Sequence, residues 1–151
     1  MSIKKDLGEG YVNLSKMLLP YINALENKDD DLNIRGKTIE QANREQPQHL
    51  SYYDERCVEL NTYVKFFDVE IARIRATLIK GMESYPRDLS DRMKEKYVDQ
   101  EHAYLVVYEK YLAVKEIHGQ FVSIVDAFRA RGYALNNITK IRVASLEDVI
   151  L

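Results

Sequence analysis

The sequence predicts an all-α protein built on a long antiparallel helical hairpin, with N-terminal helices, a short C-terminal helix and oligomeric assembly. Three observations predict it. Between Ser51 and Tyr85, the residues Tyr53, Cys57, Leu60, Val64, Phe67, Ile71, Ile74 and Leu78 recur alternately four and three apart, the seam of a helix packed along a partner. Hydrophobic content of 46% beside 30% charged residues, with six Gly and three Pro in 151 residues, describes a water-compatible helical chain. Tyr85-Pro86 closes the first arm and Asp88, Ser90 or Asp91 can cap the next within a few residues, a connection short enough to force the arms antiparallel.

Taken in order, Leu7, Tyr11, Leu14, Leu18, Ile22 and Leu25 repeat at helical spacing, so an amphipathic helix opens the chain. Pro20 lacks an N–H and crowds the carbonyl of Lys16, which predicts a kink or break there. Lys28 to Gly36 reads as a loop around Asp29, Asp30 and Asp31. Thr38 and Gln41 form a capping box for a short helix ending before Pro47. The long arm follows, with Asp54, Glu55, Arg56, Glu59, Lys65, Asp68, Glu70, Arg73 and Arg75 on its wet face. The second arm, Leu89 to Ala130, carries Tyr97, Tyr104, Tyr108, Tyr111, Val114, Phe121, Ile124, Val125 and Phe128, more apolar surface than one partner covers. Gly119 inside it calls for a close helix contact. Arg131-Gly132 reads as a glycine stop, and Leu135, Ile138 and Ile141 as a short final helix. The whole is one domain, with N-terminal helices and loop over 1–46, the hairpin over 47–131 and the C-terminal helix and tail over 132–151.

Composition also bounds function. With 22 basic against 24 acidic side chains the net charge is −2, so any basic site must be local. Cys57, the single cysteine, lies on the seam and reads as a small buried hydrophobe in a reducing compartment. No apolar run approaches the ~20 residues of a membrane span, and Met1 to Gly10 is too polar for a secretory signal, so the expected location is the cytoplasm with no membrane partner. The Asp29 to Asp31 run lacks the alternation, central Gly and distant Glu of a calcium loop. His49, His102 and His118 have no Glu three residues before them, as a di-iron bundle requires, and HExxH is absent. Gly8-Glu9-Gly10 is too short for a phosphate loop. The sequence therefore predicts no catalytic residues, metal or cofactor.

Two local basic stretches stand out. Arg73, Arg75 and Lys80 lie without an acid between Ile71 and Met82, and Arg87, Arg92, Lys94 and Lys96 follow across the turn, with Tyr85 and Tyr97 among them. Cations along phosphates and aromatic faces under bases are what a single nucleic-acid strand needs; basic residues in a helix's last turns also simply oppose its dipole. The second stretch, Arg129, Arg131, Lys140 and Arg142, likewise contains no acid.

The second stretch sits in a fuller pattern: Asp126-Ala127, then Arg131-Gly132-Tyr133-Ala134-Leu135, Ile138 and Arg142. This pattern resembles the UvsY family of recombination mediators from large tailed phages. The likeness runs back to about Asp99 and, more loosely, to Pro47 and Tyr52-Tyr53, roughly two thirds of the chain. The resemblance implies a non-catalytic protein in the host cytoplasm that binds single-stranded DNA. It also implies that the protein loads a RecA-like recombinase onto strands coated by single-strand-binding protein, in DNA recombination and repair. It further implies a ring-like homo-oligomer, a heptamer in the family; that likeness, together with the surplus apolar surface, places assembly at Phe128, Tyr133, Leu135, Ile138 and Ile141, with the second arm contributing. The DNA-binding expectation covers Arg73, Arg75, Lys80, Tyr85, Arg87, Arg129, Arg131, Lys140 and Arg142. The chain departs from the family in its acidic balance, in an added N-terminal helix, and in having only Arg73, Arg75 and Lys80 where the family carries a lysine-alanine-arginine-leucine motif. The rival reading is a structural helical adaptor that oligomerises through its tyrosine-rich arm and binds no DNA.

Overall fold

The computed structural model describes residues 3–84 and 89–148, with side chains as far as Ser145. Every regular element among them is helical: α1 (Ile3–Leu7), a 3-10 turn (Glu9–Tyr11), α2 (Leu14–Glu26), α3 (Lys28–Leu32), α4 (Ile39–Gly81), a second 3-10 turn (Met82–Ser84), α5 (Asp91–Val98) and α6 (His102–Asp148). These form two compact units, Met1–Leu19 with Leu60–His118, and Pro20–Glu59 with Gly119–Leu151. Within each unit, α4 and α6 pack in opposite directions, the antiparallel hairpin expected from the seam and the short connection together.

In the first unit the buried seam positions Leu60 and Phe67 lie with Val107 and Val114 in the core. Ile71, Ile74, Leu78 and Ile79 close over a cluster of Met82, Val98 and Tyr104. The N-terminal segment adds Leu7, Tyr11, Leu14 and Leu18 to the buried set. The helix expected from Leu7 onward is interrupted: Gly8 and Gly10 have φ of 75° and 61°, conformations open to glycine, and Tyr11 follows at φ 61°. The phenol of Tyr11 donates to Glu70 Oε2 at 2.9 Å and its ring packs 5.2 Å from that of Phe67, contacts that hold the unusual backbone in place.

The second unit is built around Tyr53. Its ring stacks on Phe128 at 5.0 Å and tilts against Phe121, its hydroxyl donates to Asp31 Oδ2, and His49 stacks on the same Phe128. Residues 28–32, expected as loop, form the short helix α3, with the three aspartates in its first turn where the dipole favours acids. The Thr38 capping box is present, the Thr38 Oγ1 accepting from the Gln41 amide and the Gln41 side chain accepting from the Thr38 amide.

Two expected helix ends do not occur, and at Pro20, where a kink or break is expected, there is no break. α2 continues through Pro20, whose ring lies on the exposed side while Leu14, Leu18, Tyr21 and Ala24 are buried. α4 starts at Ile39 and continues through Pro47 to Gly81. Proline removes one N–H bond there, but buried Ala42 and Tyr53 hold the helix on either side. α6 continues through Gly132, so there is no separate C-terminal helix. A Cβ at Gly132 would lie 2.9 Å from Gln46 Nε2, which makes this glycine a close-approach point and not a stop. Gly119 is the reverse case, with nothing within 4 Å of its Cβ position and hence no close contact. The second arm is also divided, α5 ending at Val98 and α6 starting at His102. The Tyr85-Pro86 closure lies outside the described residues.

Candidate nucleic-acid interface

The first basic stretch lies in the unit that contains the α5 end of the hairpin. Arg73 is one turn from Glu70 on α4 and donates to both of its carboxylate oxygens, at 3.3 and 2.9 Å. Glu70 is itself buried, accepts from Tyr11 and lies 3.7 Å from Lys4. The Arg73 hydrogen bonds, with help from Tyr11 and Lys4, hold the Glu70 carboxyl below its ordinary range. Burial, reinforced by Glu70, pushes the Tyr11 phenol up to about 12. Arg75 is also engaged: its Nη1 donates to Asp99 Oδ1 at 3.0 Å, and its guanidinium sits 5.2 Å from the Tyr104 ring centre. Lys80 is exposed, with no acid in ion-pair reach among the described residues. Tyr85 and Arg87 lie outside the described residues. Arg73 and Arg75, two of the cations that the sequence groups here, are therefore matched by acids, one on the same helix and one brought from beyond the turn, while Lys80 is not.

The second stretch is split by the pitch of α6. Arg131 follows Phe128 by three residues and precedes Leu135 by four, so it falls on the buried face and is 7% exposed. Its Nε donates to the Leu32 carbonyl at 3.2 Å, and its Nη1 to Gln46 Oε1 and the Ala42 carbonyl. Gln46 in turn donates to the Phe128 carbonyl. Burial lowers the Arg131 pKa, and its Nη2 is buried without a partner among the described residues. Arg131, expected as a DNA contact, thus ties α6 to α3 and α4, and its burial leaves it little surface to offer a strand. Its three-and-four spacing from Phe128 and Leu135 was the available signal, masked by its charge.

Arg129, Tyr133, Asn136 and Lys140 follow at intervals of four, three and four and are all exposed, one outward stripe of α6. Tyr133 is 73% exposed, an aromatic face open to solvent between two cations. Arg129 pairs with Asp126 at 2.9 Å and approaches Asp54 at 3.7 Å. Arg142 is exposed two residues beyond Lys140. Of the expected assembly residues, Phe128 and Leu135 are core of their own chain and offer no surface; Ile138 is half-buried, while Tyr133 and Ile141 are exposed.

Elsewhere, Cys57 is half-buried and its thiol is pushed up by burial and by Asp54. Among the described residues no three His, Cys, Asp or Glu side chains converge as a metal site, and no helix is long and apolar enough to cross a membrane. No family model, curated protein or solved structure matches this chain.

Proposed function

We propose that this chain is a non-catalytic, single-stranded-DNA-binding recombination mediator that helps place a RecA-like recombinase on strands coated by single-strand-binding protein. The observation that carries the reading is the outward stripe of α6, where Tyr133 stands exposed between Arg129 and Lys140. An aromatic face flanked by cations suits a base and its adjoining phosphates, and it lies within the Asp126 to Arg142 pattern that resembles the mediator family. The choice of recombinase partner and the ring-like assembly rest on that resemblance alone.

The test is binding of a long single strand at several salt concentrations. Replacing Tyr133 by Ala should weaken binding by about 1 to 3 kcal/mol if one base stacks there. Reversing Arg129 and Lys140 should reduce the log-log salt slope by about 0.7 for each phosphate that is no longer neutralised. Unchanged affinity and slope in these variants, with weaker binding on reversing Lys80, would move the site to the first stretch. No binding by the parent protein at low salt would favour the adaptor reading, to which the acid pairing of Arg73, Arg75 and Arg129 already lends weight.

A further inference from the structure

The first half of α6 carries a second outward stripe that the DNA reading does not use. Glu101, just before the helix, and then Leu105, Tyr108, Leu112 and Lys115 follow at intervals of four, three, four and three, and all are exposed. Leu105 is 46%, Tyr108 37% and Leu112 47% exposed, so three large apolar side chains in one row are only partly covered by their own unit. The row is stiff. Tyr108 stacks on Tyr104 at 5.4 Å and leans on Tyr111, over whose ring the Lys115 ammonium sits. Little side-chain freedom would be lost on covering it.

We propose that this row is where a second copy of the chain docks, antiparallel, about a two-fold axis at Tyr108, a self-complementary contact separate from the head-to-tail contact that a ring requires. The charge order selects both occupant and direction. A two-fold interface must be self-complementary, each residue meeting the counterpart of the one it contacts. The row has an acid seven residues before Tyr108 and a base seven residues after it. An antiparallel copy therefore sets Glu101 against Lys115 at both ends and the leucines on either side of the axis. A parallel copy would set Glu101 against Glu101 and Lys115 against Lys115. Glu109 meets its counterpart beside the axis, but at a water-exposed rim where screening keeps repulsion small.

The test uses a Cys57→Ser background, so that any added thiol is the only one. Packed helix axes lie about 8 to 10 Å apart and each Cα about 2.3 Å from its axis, so facing residues at the axis bring their Cα atoms within disulfide range. Under mild oxidation Tyr108→Cys should give a covalent dimer. Glu101→Cys should not, since the two sites lie roughly 21 Å apart in an antiparallel pair, whereas mixed Glu101→Cys and Lys115→Cys chains should join. In sedimentation, Glu101→Lys or Lys115→Glu alone should weaken self-association by about threefold to tenfold, and the double exchange should restore it. A parent chain that remains monomeric, Glu101→Cys dimers forming as fast as Tyr108→Cys dimers, or a double exchange that fails to restore association would each overturn the proposal.

Discussion

Glu70 and Tyr11 share one proton-sensitive contact, and each end of the pH scale tests a different member of it. The Glu70 carboxyl is held below its ordinary range chiefly by Arg73, so in mild acid the unfolded chain binds the proton first. The stability it contributes is present above the ordinary carboxylate range and is lost as pH falls through the lowered folded value. Tyr11 is raised to about 12, so between pH 10 and 12 the folded chain keeps a proton that the unfolded chain has released, and stability falls as pH rises through that window. Denaturant midpoints measured across both ranges should show Glu70→Gln flattening the acid limb and Tyr11→Phe flattening the alkaline one; unchanged limbs would mean the contact contributes nothing. The two α6 glycines give an equally local test. Gly119→Ala meets open space and should stabilise the chain by about 1 kcal/mol. At Gly132 the same change displaces Gln46 from Arg131 and the Phe128 carbonyl, so the helix gain should be cancelled or reversed. Equal effects at both positions, read from chemical denaturation, would remove the close-approach role of Gly132.

At the scale of elements, the α4 seam is the part most open to sequence reading. Tyr53, Leu60 and Phe67 are fully buried and the intervening seam residues half-buried, as their four-and-three spacing requires. Phe67→Ala should cost about 3 to 5 kcal/mol in equilibrium unfolding, and a cost under 1 kcal/mol would place the ring outside the core. Element ends were less legible, because local signals at Pro20, Pro47 and Gly132 were outweighed by packing on either side. Gly8 and Gly10 did the opposite, breaking a helix whose apolar spacing continues across them. For Gly132, Tyr11 and Tyr53 the deciding partner is distant in sequence: Gln46, Glu70 and Asp31 respectively. The candidate site was legible in the same partial way. A run of basic letters reveals charge, but helix pitch decides which members reach water. Arg129 and Lys140 do, and Arg131 does not.

For the molecule as a whole, the −2 net charge is consistent with how its cations are used. Arg73, Arg75 and Arg129 are all matched to acids, so what positive potential the surface has comes from small local excesses of charge and not from a general field. A further consequence of the phenol–carboxylate contacts is optical. The chain has eleven tyrosines and no tryptophan, so its near-ultraviolet emission comes from phenols alone. Tyr11 donates to Glu70 in one unit; Tyr21 donates to Glu59 and Tyr53 to Asp31 in the other. A carboxylate that accepts from a phenol quenches its emission, so emission from these three rings should rise when the contacts open on unfolding. Each compact unit thus contains its own reporter of opening: Tyr11→Phe should remove the rise that belongs to the first unit, and Tyr21→Phe with Tyr53→Phe that of the second, without any added dye.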